Sequence, residues 1–96
     1  MELAKRIAKI QQRSNDAWEM AVDTAGSEYS GGSDENQSEM QSLANSCDSC
    51  YDAAITAIES GDYPAALEQL KTAKSLESEG GDCSCADRAI EILQAQ

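Results

Sequence analysis

Apolar residues return at spacings of three and four along most of the chain, a rhythm that matches the α-helix and no other regular element. Leu3, Ile7, Ile10, Ala17, Trp18, Ala21, Val22 and Ala25 draw one stripe on a first helix that ends near Gly26. From Gly26 to Gln37 the period vanishes and Gly, Ser, Asp and Asn dominate, which predicts a flexible connection over residues 26–37. A second helix follows, opened by Ser38 with Gln41 as a capping box or earlier by Ser33. Its buried side carries Met40, Leu43, Cys47, Cys50, Tyr51, Ala54, Ile55 and Ile58, and Gly61 ends it. The third helix opens at Asp62, a good N-cap, with Pro64 in the first turn, where a missing N–H costs nothing. It buries Ala66, Leu67, Leu70, Ala73 and Leu76 and stops at Gly80 and Gly81. A last helix from about Ser84 to Leu93 presents Ala86, Ala89, Ile90 and Leu93, with Asp87 three residues past Ser84 as a weaker capping pattern. The expected fold is all-α: one domain over residues 1–96, packed as a small antiparallel bundle of about four helices.

The material for a core is thin. The 96 residues include fifteen Ala but only six Leu, six Ile, one Val, one Trp and no Phe, so the helices can approach closely while burying little large-side-chain area. Trp18, on the stripe of the first helix, is the expected anchor. A core this small calls for reinforcement by a disulfide, a metal or a second chain. Charges interrupt every apolar stretch of the N-terminus, which leaves no hydrophobic region of a secretory signal, and no apolar run approaches the roughly 20 residues that span a bilayer. A cytoplasmic location is therefore expected.

Within the segment 47–80, Ala54, Gly61, Asp62, Tyr63, Ala66, Leu67, Leu70, Ala73 and Leu76 follow a pattern that resembles a single tetratricopeptide-repeat helical hairpin, with Gly and Tyr at the turn and small residues where helices touch. The departures are Cys50 where a Trp is usual, Ala57 where a large aromatic is usual, and Ser78 where a Pro often closes the repeat. No second copy flanks it. The resemblance implies a helical hairpin; a peptide groove requires several stacked repeats and is not implied.

Four cysteines stand in two pairs, Cys47 with Cys50 inside the second helix and Cys83 with Cys85 at the start of the last. Back from Gly61 to Cys47 is about 21 Å of helix, and the third helix returns roughly 24 Å, so the hairpin brings the two pairs to the same end. Four thiolates there would suit one tetrahedral, structural zinc ion; one or two disulfides between the pairs are an alternative, as is an ordinary role for small buried thiols. A thioredoxin-like role fits poorly, because Cys47 lies well inside a helix and is flanked by Asp48 and Asp52, rather than standing at a helix N-terminus after a strand.

The net charge is −11 and unevenly spread: residues 1–13 carry Lys5, Arg6, Lys9 and Arg13 against Glu2, while the rest holds seventeen acids against three bases. Such a surface repels nucleic acid and anionic lipid and attracts a basic surface, although acidity also serves solubility. Asp48, Asp52, Glu59, Glu68, Glu77 and Glu79 are the acids expected to project from the helices toward a partner, with Asp34, Glu35 and Glu39 beside the connection. Lys5, Lys9 and Arg13 share one helical face, for which the acidic remainder of the chain, or of a second copy in a homodimer, is the nearest counterpart. With no His and no phosphate-binding loop, no catalytic constellation is present. The expected function is that of a non-enzymatic acidic interaction module, an adaptor or inhibitor of a basic partner; the alternative is a small metal-binding or thiol-responsive protein built on the cysteines.

Overall fold

The computed structural model of the chain describes residues 2–27, 31–81 and 83–96, and these form an all-α bundle. The helices are α1 (Glu2–Ala25), α2 (Asp34–Glu59), α3 (Tyr63–Leu76) and α4 (Cys85–Gln94). Between α3 and α4 the chain widens into a π-helical turn, Glu77–Gly81. Each helix packs on two others: α1 on α2, α2 on α3, α3 on α4 and α4 back on α1. The result is an elongated body of 45 × 18 × 15 Å. No helix among the described residues is long and apolar enough to cross a membrane.

Ser33, rather than Ser38, starts α2: its hydroxyl accepts from the Asn36 N–H at 3.1 Å. Residues 34–37 are thus helical and the connection is shorter than the composition suggests, while residues 28–30 lie outside the described residues. At the far end of α2, Gly61 takes φ 80°, which L side chains rarely adopt. The Gly61 N–H donates to the Ile58 carbonyl at 3.0 Å and the Asp62 N–H to the Ala57 carbonyl at 2.8 Å, the paired bonds of a Schellman ending. Asp62 then turns from closing α2 to opening α3, accepting the Ala65 N–H on its carboxylate at 3.2 Å.

The core is built mainly from α1 and α2. Ile7, Trp18, Cys47, Tyr51, Ala54, Ile58, Ala66, Leu70, Ala73, Ala86 and Ala89 are almost fully buried, and Trp18 is the largest of them. Its indole packs against the glycines of the π-helical turn. A Cβ on Gly81 would come within 2.9 Å of the ring, so only glycine permits that approach. The polar seam between α1 and α2 runs antiparallel. Gln11 donates to Asp48 at 2.8 Å and to Asp52 at 2.9 Å, and Asn15 donates to Asp48 at 2.9 Å.

Candidate functional site: a buried carboxylate among thiols

Three apolar stripes each carry a polar residue at the same level of the bundle. On α1 the run Ile10, Ser14, Trp18 places a hydroxyl where a large apolar side chain would be expected; on α2 the run Cys47, Tyr51, Ala54 places a phenol. On α3 the run Ala66, Leu70, Ala73 continues to Glu77 in the widened turn. Ser14 is 0% exposed, Tyr51 0% and Glu77 2%. The three side chains meet. Ser14 donates its hydroxyl to Glu77 Oε2 at 2.8 Å, Tyr51 donates to the same oxygen at 2.7 Å, and the Ala86 N–H donates to Oε1 at 2.9 Å.

The bond from Ala86 explains how α4 begins. Ser84 stands at the N-cap position, yet its side chain makes no capping bond; the carboxylate of Glu77 supplies the acceptor instead, from another element. A negative group at a helix N-terminus also meets the positive end of the helix dipole. Asp87, the expected partner of Ser84 in a capping box, points to α3 and pairs with Lys74 at 2.8 Å. That contact raises the Lys74 ammonium above its ordinary pKa.

Glu77 corrects the expectation of an exposed acid at the end of α3 offered to a partner. Glu77 falls on the buried face that Ala66, Leu70 and Ala73 begin, at helical spacings of four and three, and burial is sustained because hydroxyl, phenol and amide donors reach the carboxylate. Asp48 is also less free than its position suggests: it is half-buried, with the amides of Gln11 and Asn15 on its carboxylate. Asp52, Glu59, Glu68 and Glu79 are exposed.

The cysteines distribute unequally around this carboxylate, and all four thiols are free. Cys47 is fully buried, with Glu77 Oε2 and the Ala73 carbonyl as acceptors, each at 3.8 Å. Burial pushes its thiol up to about 11, against the pull of the Trp18 N–H and the Ser14 hydroxyl beside the sulfur. Although the Trp18 N–H lies beside that sulfur, it falls short of hydrogen-bond geometry and is the one buried side-chain nitrogen or oxygen without a partner among the described residues. Burial and the hydrogen bond to Glu77 likewise hold the Tyr51 phenol well above its usual range.

Cys83 and Cys85 also stand close to Glu77. Their sulfurs and a Glu77 oxygen all lie within 4.8 Å of one another, a group that could hold a metal ion. Burial first, then the neighbouring Cys83 and the Glu77 carboxylate, push the Cys85 thiol up to about 12, while Arg13 acts in the opposite sense. Cys50, half-buried and raised by desolvation, stands outside that group, as does Cys47. The hairpin thus brings Cys47, Cys83 and Cys85 around a carboxylate that spacing alone did not assign to them, and leaves Cys50 aside.

The remaining charges are mostly free. The ion pairs among the described residues are Lys71 with Glu68, Lys74 with Asp87, and Arg88 with Glu91, all exposed. None involves Lys5, Lys9 or Arg13, so the basic face of α1 finds no ion-pair counterpart among the described residues. No family model, curated protein or solved structure matches the chain.

Proposed function

We propose that the protein is a non-enzymatic interaction module that offers an acidic helical face to a basic protein surface, as an adaptor or an inhibitor. The observation that supports this reading is the state of the acids on α2. Asp34, Asp52 and Glu59 are exposed, have no base within ion-pair reach among the described residues, and fall on one face of the helix at its 100° per residue. The half-buried Asp48 shares that face; the amides of Gln11 and Asn15 fix its carboxylate without neutralising it. Over the 26 residues of α2 this stripe extends for about 39 Å. Packing of α2 against both α1 and α3 holds it rigid, so the charges are displayed in a fixed array rather than on a tail. A fixed line of negative charge speeds encounter with a positive surface and disfavours DNA, RNA and anionic lipid.

The test is capture of a binding protein by the immobilised chain and by the triple variant Asp34→Lys, Asp52→Lys, Glu59→Lys, each at low and high salt. The reading requires a basic protein held by the native chain, released by salt and lost with the variant. Binding that ignores salt, or that survives the charge reversal, refutes it. A Cys83→Ser chain that captures the same protein separates this reading from one in which the thiol group is the working site.

A further inference from the structure

We propose that Glu77, Cys83 and Cys85 form an open three-ligand site for a thiophilic divalent cation of the zinc class. The site is independent of the acidic face and differs in composition from a four-cysteine cluster: one carboxylate replaces the Cys47 and Cys50 pair.

Three features carry it. The first is geometry. The two sulfurs and a carboxylate oxygen already lie within 4.8 Å of one another. With Zn–S bonds of about 2.3 Å, a tetrahedral ion needs such atoms roughly 3.5–3.8 Å apart, a closure of about 1 Å that side-chain rotation can supply. The second is charge. Glu77 is 2% exposed, yet every hydrogen bond it accepts comes from a neutral donor, and no Lys or Arg among the described residues lies within ion-pair distance of it. A buried carboxylate without a cation is costly, and an ion bound beside it removes that cost. The third is support around the ligands. Ser14, Tyr51 and the Ala86 N–H orient the Glu77 carboxylate, the kind of outer hydrogen bonding that metal-bound carboxylates use.

Access and selectivity follow from the surroundings. Glu77, Ser78, Cys83 and Ser84 line an open depression, so an ion can enter from solvent and the fourth position stays available to water or an outside ligand. As the ion binds, each thiol releases its proton to solvent. Two thiolates, one carboxylate and a divalent ion leave a single negative charge beside the N-terminus of α4, which favours it. Sulfur ligands select the zinc class over calcium or magnesium, which take oxygen.

The test is a titration of the reduced full-length chain with zinc, monitored by native mass, and with cobalt, monitored by absorption. The proposal expects one ion per chain and a thiolate-to-cobalt charge-transfer band with the visible bands of a tetrahedral site. Cys83→Ser, in the connection before α4, should weaken zinc by more than the roughly 10–100-fold typical of lost outer-shell support, and Cys85→Ser should do the same. Cys50→Ser should leave the affinity unchanged. Cobalt bound without a thiolate band, full affinity in folded Cys83→Ser, or loss of binding in folded Cys50→Ser would each overturn the assignment. Circular dichroism of each variant confirms that the helices remain.

Discussion

Tyr51 on α2 and Glu77 in the turn after α3, 26 positions apart, share a 2.7 Å hydrogen bond in the interior of the bundle. It is one of three short bonds on that carboxylate, and together they tie α1, α2 and the start of α4 to the end of α3. Removing the carboxylate would strand three buried donors, each worth about 1–3 kcal/mol when left unsatisfied. Glu77→Ala should therefore cost at least about 3 kcal/mol in denaturant unfolding. Tyr51→Phe, which leaves the carboxylate two of its three short bonds, should cost about 1–2 kcal/mol. A Glu77→Ala loss below about 1 kcal/mol would show that the carboxylate does not organise the core.

Trp18 and Gly81 give a second prediction. An added Cβ at Gly81 meets the indole at 2.9 Å, and the ring is locked in the core, whereas at Gly80 the nearest obstacle is the Met40 sulfur at 2.6 Å, the far end of a flexible side chain. Gly81→Ala should cost about 1–3 kcal/mol, the range for an overpacked core, and shift the Trp18 emission. Gly80→Ala should be milder on both measures. Equal effects would mean that the turn moves as readily as Met40.

Helix boundaries were legible where the signal is local. Asp62, Pro64 and Gly61 act through their own backbone geometry, and the structure uses each as its chemistry suggests. The apolar stripes likewise identified the core positions. The site was legible only in outline. Ser14, Tyr51 and Glu77 each interrupt or prolong an apolar stripe, which is the signal that marks them, but a polar residue on a stripe does not say which others it will meet. Glu77 prolongs the stripe of Ala66, Leu70 and Ala73 by one helical step, but a carboxylate at a helix end is ordinarily solvated, and its burial depends on donors from three other helices. Long-range polar contacts have no periodicity of their own, so they appear only once the helices are docked.

Three caps should respond differently to removal. Ser33 and Asp62 each accept a backbone N–H from the third residue of their helix, at 3.1 and 3.2 Å, whereas the Ser84 side chain accepts none. Ser33→Ala and Asp62→Ala should each cost about 1 kcal/mol. Ser84→Ala should fall below about 0.5 kcal/mol, since Glu77 performs the capping of α4. A Ser84→Ala cost equal to the other two in thermal or denaturant unfolding would contradict that division of roles.

The buried thiol predicts an alkaline limit to stability. Burial raises Cys47 from its ordinary value of 9.0 to about 11, so the native state keeps this proton over a range in which the unfolded chain has lost it. The unfolded state then binds fewer protons, and stability falls as pH rises. The contribution is fully present below about pH 9 and is lost as pH approaches 11, on the order of 2–3 kcal/mol in all. Cys50, Cys85 and Tyr51 are raised in the same sense and steepen the decline. Unfolding of the reduced, metal-free chain at a series of pH values should show this loss, and Cys47→Ala should flatten the slope even though it lowers stability near neutrality. A native chain equally stable at pH 8 and pH 11, or a slope unaltered by Cys47→Ala, would mean that this sulfur is reached by water.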